Sequence, residues 1–262
     1  MALSRPSALT RLDSISPAEL AAELSHLPGF FFLDSATADQ GERPGEDVRF
    51  SLITACPRSV LTGDLNVERD FLALRDLLAK RRLPEESTPD LGFPGAGLYG
   101  MIDYEGSFVF GEYDDFLLHD HRSGRWTGSG EWLDRRKNAP LQNRNSSRLE
   151  FIDGTEREEF CRLVERARDY IAAGDIYQVN LTHRLSARRP PDLDLFALYR
   201  RLREISPAPH SVYAKLGGRT LLSSSPEQFL RMSGRTIQTR PIKGTRPRFR
   251  DRERDERSAY DL

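Results

Sequence analysis

The sequence predicts an α+β fold built on antiparallel sheet, and two observations predict it. Short runs in which apolar and polar residues alternate follow one another across tight turns, at 211–216, 219–223, 228–232 and 236–242. Helix patterns of apolar residues lie between groups of such runs, at 67–81, after 155 and at 193–204. Strands joined by hairpins, with helices set between them, make layers of helix on antiparallel sheet.

The elements follow in order. Ser16 precedes Pro17 and is followed three residues later by Glu19, a capping box with proline at the first helical position. Leu20, Leu24 and Leu27 then fall at helical spacing. Residues 29–33 read as a short buried strand, and 48–54 alternates as a strand does. Phe71, Leu74, Leu77 and Leu78 mark the helix at 67–81. Residues 82–95 hold three prolines and read as loop; 97–104, 108–110 and 116–119 read as strands. Thr155 and Glu158 form a second capping box ahead of a helix face of Phe160, Leu163, Val164, Ala167, Tyr170 and Ile171. Gly174 stands where a C-terminal cap belongs, and 176–185 alternates as a strand. The polar, aperiodic segment DRRKNAPLQNRNSSR at 134–148 is the best linker. It divides the chain into a domain at 1–133, a linker at 134–150 and a second domain at 151–262.

Composition excludes several classes of function. The chain has 262 residues, with 39 Lys and Arg against 40 Asp and Glu, a net charge of −1. No global field draws it to nucleic acid or to a membrane surface. Cys56 and Cys161 form neither a disulfide framework nor a zinc spacing, which fits a reduced, cytoplasmic setting. The N-terminus lacks the apolar stretch of a signal peptide, and the apolar run at 30–33 is too short to span a bilayer. The only lysines are Lys80, Lys137, Lys215 and Lys243, so each is harder to dismiss as background.

One segment, LSSSPEQFLRMSGRTIQTRPIKGTRPR at 222–248, gathers reactive groups. A hairpin turning near Ser233 and Gly234 would carry Glu227 and Lys243 toward one end of the sheet. An acid and a lysine meeting in a pocket make a base and a nucleophile. Arg240, Arg246 and Arg248 would disfavour the protonated amine and attract an anionic substrate. Gly244 permits close approach of a ligand, and Thr245 can donate a hydrogen bond. A hairpin with solvated charges is the other reading of the same residues. His119 and His121 alternate without an evident third ligand, and read as exposed residues near a turn rather than a metal pair. The mixed-sign run at 246–257 reads as a solvated loop or helix.

Three blocks carry a family resemblance: GDIYQVNLTHR at 174–184, SSPEQFL at 224–230 and TRPIKGTRPR at 239–248. With FLDSA at 32–36, RFSL at 49–52 and GLYGMIDYE at 97–105, their order resembles the chorismate-utilising enzymes, which include the large subunits of anthranilate synthase and aminodeoxychorismate synthase. The resemblance implies antiparallel sheets packed as a sandwich with outer helices. It also sorts the branches. The aminating branch that makes aminodeoxychorismate reads PIKGT, as here, whereas anthranilate synthases carry alanine in place of the lysine. Gln178 stands where isochorismate and salicylate synthases carry a water-activating lysine.

By resemblance, Lys243 attacks C2 of chorismate, Glu227 is the general acid and base, and Gly244 and Thr245 contact the substrate. Ammonia from a glutamine amidotransferase subunit then adds at C4. The resemblance further implies a tryptophan site at Ser35, Asp47, Val48, Arg49, Phe50, Pro209, His210 and Ser211, with His210 in place of an aromatic. Magnesium is expected from the family, but its glutamate ligands belong to a second half whose motifs do not occur in these residues. The 262 residues, whether a truncated chain, one part of a split enzyme or a fragment, are therefore expected to be inactive and poorly stable alone, with exposed sheet edges and apolar surface. The alternatives are anthranilate synthase component I and a non-catalytic fragment that binds tryptophan or the glutaminase partner.

Overall fold

The computed structural model describes residues 12, 14–36, 48–80, 95–137, 149–233, 236–241 and 247–260. Residues 1–142 and 198–262 form one compact unit and 143–197 a second. The sequence-based division at 134–150 is a different partition and stays a proposal.

The first unit is built around a six-stranded antiparallel sheet. Its strands are β1 (Phe31–Asp34), β2 (Phe50–Thr54), β6 (Phe116–Asp120), β7 (Arg125–Ser129), β10 (His210–Leu216) and β11 (Arg219–Ser225), in the order β11-β10-β1-β2-β6-β7. A second sheet, in the order β3-β5-β4, joins β3 (Ser59–Asp64), β4 (Gly97–Ile102) and β5 (Ser107–Tyr113). β1 is central because both its neighbours are long-range: β2 on one side and β10, some 180 residues later, on the other.

Strand alternation decides which face each side chain serves. Phe31 on β1, with Ala214 and Leu216 on β10, packs against Val109 and Tyr113 of β5, and Tyr99 and Met101 of β4 lie against that cluster. This is the interior of a two-sheet sandwich. Phe32, one residue on, faces the other way and meets Tyr199 edge-on, with ring centroids 6.2 Å apart. Tyr199 lies on helix α4 (Leu195–Ile205) and also packs on Tyr213 of β10 at 5.7 Å. Helix α1 (Pro17–Leu24) buries Leu20, Ala21 and Leu24, and its capping box forms as expected: Glu19 N–H donates to Ser16 Oγ and Ser16 N–H to Glu19. Each large apolar side chain so buried contributes about 2 kcal/mol.

Gly29 is one position where glycine is required. Its φ is +60°, and an added Cβ would strike the Pro57 ring. Its carbonyl also accepts a 2.7 Å hydrogen bond from the Tyr113 hydroxyl, fastening the two sheets at that corner.

Helix α2 (Glu68–Lys80) confirms the pattern at 67–81, though it buries only Leu74 and leaves Phe71 and Leu78 half exposed. β3 and β7 went unread in the sequence. Ser59–Asp64 carries a glycine and an acid in its last two positions, and Arg125–Ser129 lies at a sheet edge with mixed polarity.

The second unit holds β8 (Phe151–Asp153), α3 (Arg157–Ala173) and β9 (Leu185–Ala187). α3 ends at Gly174 as expected, in the left-handed conformation at φ 83°, with its N–H bonded to Ile171 O. The expected capping box does not form. Thr155 N–H is turned back onto Asp153 Oδ1, so the helix begins one residue later, behind Glu156, and no side chain caps it. The expected strand at 176–185 is also corrected: pairing is limited to three residues of β9 against β8, and residues 176–184 form no strand. Alternation supplies a strand's faces but not its partner.

The remaining elements are the hairpin β12 (Gln228–Ser233) and β13 (Thr236–Arg240) and helix α5 (Arg252–Tyr260). The helix confirms the solvated reading of the 246–257 run, with Arg248 paired to Asp255 at 2.7 Å. Among the described residues no helix is long and apolar enough to cross a membrane.

Candidate functional site

β11 ends at Ser225, and the chain passes through Pro226 and Glu227 into β12. Ser225 Oγ donates to Glu227 O at 3.1 Å, and Glu227 N–H returns to Ser225 Oγ at 3.4 Å. This small side-chain turn sets the exit of the strand. Gln228 faces Arg240 across the hairpin. Glu227 therefore sits at the hairpin's open end, where β13 leads on toward the PIKGT motif. Lys243, Gly244 and Thr245 lie outside the described residues, as does Asp47. The hairpin exposes Phe229 (85%), Met232 (71%) and Ile237 (65%), a large apolar surface for a two-stranded ribbon.

The second candidate group lies at one end of the six-stranded sheet. β1 and β10 pair Asp34 with Ser211, and β1 and β2 pair Leu33 with Leu52. That register gathers Ser35, Val48–Phe50 and Pro209–Ser211, separate in sequence, at the same edge. Ser35 is 4% exposed; its Oγ donates to Phe50 O at 2.7 Å and its N–H to Ser51 Oγ at 3.1 Å. The Arg49 guanidinium lies over the Phe50 ring, 4.6 Å from its centroid, and pairs with Asp120 at 3.0 Å. Ser211 is buried, with its hydroxyl donating to Ala208 O.

Burial tends to raise the Asp120 carboxyl, but hydrogen bonds from Arg49 and from the Arg122 backbone, with the Arg49 charge, outweigh it and hold the group below its usual range.

Several residues at this edge escaped the sequence reading. Asp34 is fully buried, and Arg203 Nε donates to its Oδ2 at 2.6 Å while the Tyr199 hydroxyl donates to the same oxygen at 2.9 Å. Burial first, and the Asp34 carboxylate second, raise the Tyr199 phenol above its usual range. The one signal in the sequence was an acid on a strand otherwise apolar. Ser51 was assigned no role, and His121, expected to be exposed near a turn, is half-buried with its Nε2 2.8 Å from Ser51 Oγ. His119, expected to be exposed, is buried between His121 and Trp126, because β6 lies inside the sheet rather than at a turn.

Residues 75–262 match the family described as chorismate binding enzyme. The chain belongs to the chorismate-binding enzyme family.

Among curated relatives, "Anthranilate synthase component 1" of Thermus thermophilus is 42% identical over 189 residues, 69% of this chain and 40% of that protein. The protein of the same name from Thermococcus kodakarensis is 30% identical over 278 residues, 94% of this chain and 60% of that protein. Among solved structures, anthranilate synthase component I from Streptococcus pneumoniae superposes with a TM-score of 0.56 at 21% identity, covering 74% of this chain and 53% of that one. A putative 2,3-dihydroxybenzoate-specific isochorismate synthase from Bacillus anthracis gives 0.52 at 16% identity, covering 97% and 57%. Both share the antiparallel α+β fold. The chain thus spans between 40% and 60% of the length of these proteins.

The chorismate-binding match contains the Glu227 and PIKGT blocks and Pro209–Ser211, while Ser35 and Val48–Phe50 precede it. Among the described residues no group of three or more His, Cys, Asp or Glu side chains is placed to hold a metal ion. The donors among the described residues do not make a magnesium site.

Proposed function

We propose that this chain carries part of the active site of an aminating chorismate enzyme, one that makes 4-amino-4-deoxychorismate. The observation that carries the reading is Lys243 in PIKGT, one of four lysines in the chain. Its neutral amine attacks C2 of chorismate, both ring double bonds shift, and the C4 hydroxyl leaves with a proton from Glu227. Ammonia adds at C4, both double bonds shift back, and the lysine is expelled from C2. Glu227 takes up the proton that ammonia releases, and the balance is chorismate plus ammonia to product plus water. While the adduct lasts, the lysine blocks C2 against other nucleophiles. A glutamine amidotransferase is the proposed source of ammonia. The relatives are longer, so this activity is proposed for the whole protein that carries these motifs.

One observation favours a second reading. The two curated relatives described above are both named anthranilate synthase component 1. That enzyme class aminates C2 rather than C4, so chromatography of the product separates the readings. Lys243→Ala in the whole protein is expected to abolish or redirect amination; undiminished 4-amino-4-deoxychorismate would remove Lys243 from the nucleophile's role.

The sheet-edge group is proposed as a tryptophan site. Ser35, Arg49, Phe50 and His210 together offer hydrogen bonds, a cation and an aromatic face, the chemistry an aromatic amino acid requires. Calorimetry with tryptophan tests it; an absence of binding heat would refute it.

A further inference from the structure

Glu227 is exposed and follows a proline, yet the strand end that carries it is tied down from two directions. Ser224 Oγ donates to the carbonyl of Ser206, at the end of helix α4, and lies 3.3 Å from the Ser206 hydroxyl. Ser206 N–H in turn donates to Leu202 O, so the serine belongs to the last turn of that helix. One turn earlier, Arg203 and Tyr199 lock the same helix to Asp34 on β1. Ser225, the next residue after Ser224, is paired with His210 on β10 and closes the small turn onto Glu227. The helix is thus clamped to the central strand at one point and holds the end of β11 at another.

We propose that Ser224 and Ser225 are positioning residues for Glu227. Ser224 fixes the end of β11 against α4, and Ser225 fixes the direction in which the chain leaves it. Neither hydroxyl takes part in the chemistry. The proposal rests on the reading of Glu227 as the proton-transfer group, because only then does its placement affect turnover.

Amide hydrogen exchange at Glu227, read by NMR, tests the placement independently of activity. Ser225→Ala is expected to speed exchange of the Glu227 N–H about fivefold, the change implied by the usual net worth of one hydrogen bond. Ser225→Thr, which keeps the hydroxyl, is expected to restore slow exchange. Ser224→Ala is expected to speed exchange at both Ser225 and Glu227. The N–H of Tyr213, in mid-strand on β10, serves as the control and is expected not to change. Equal exchange at Glu227 in wild type and both alanine variants would overturn the proposal, as would equal acceleration at Tyr213. In the whole protein, Ser225→Ala is expected to lower kcat for chorismate amination with KM little changed, and Ser225→Thr to restore it. Full turnover by Glu227→Gln would instead overturn the chemical reading, and the exchange rates would still decide the positioning.

Discussion

Arg203 donates its Nε to the fully buried carboxylate of Asp34 across 2.6 Å, tying helix α4 to the central strand of the sheet. The Arg203 side chain is itself only 14% exposed, so this is a buried ion pair rather than a surface one. Such a pair is weak evidence for net stability, because desolvation offsets much of the attraction. Breaking it from one side is costly, because the other charge stays buried.

Arg203→Met is therefore expected to destabilise the fold by about 3 kcal/mol, measured by urea unfolding. Tyr199→Phe, which removes one hydrogen bond to the same carboxylate, is expected to cost about 2 kcal/mol. An Arg203→Met chain as stable as wild type would mean that the clamp contributes nothing.

The Arg49–Asp120 pair at the sheet edge makes a prediction in pH. Asp120 is held below its usual range in the folded state, so its stabilisation is fully present above the unfolded value of about 3.9. It is lost as pH falls through the lower folded value. Arg49→Met removes the side-chain hydrogen bond and the charge that lower it, so wild type should be the more stable at pH 7, with the gap closing in strong acid. A gap that widens as pH falls would contradict the assignment.

Gly29 is held at φ +60° with the Pro57 ring where a Cβ would stand. Gly29→Ala is expected to cost about 2 kcal/mol or more, the sum of left-handed strain and crowding. Thermal unfolding checks this; an unchanged Tm would show that the corner yields freely.

Much of the sheet was legible because burial writes alternation into sequence. β1 is the exception: Phe31 and Phe32 serve opposite faces and both are covered, so this strand shows in the sequence as a short continuous apolar run. Partners were not legible. β1 pairs with β10 across most of the chain, and no local rule joins Asp34 to Ser211. The same limit explains the failure at 176–184, where alternation occurs without a neighbouring strand. The capping box at Thr155 failed for a more local reason, since Asp153 competes for the same backbone N–H.

Motif order led to Glu227 and Lys243, and strand register brings Ser35, Phe50 and Ser211 to one edge. The Asp34–Tyr199–Arg203 clamp was hidden because its members are about 165 residues apart and each looks ordinary alone.

Lys243 is proposed to direct amination to C4, and the identity of the product decides between C4 and C2. The whole protein carrying this chain is incubated with chorismate and ammonia, and the product is separated by chromatography and weighed by mass spectrometry. The wild-type protein is expected to give 4-amino-4-deoxychorismate, and Lys243→Ala to lose it. Anthranilate from the wild-type protein would contradict that proposal.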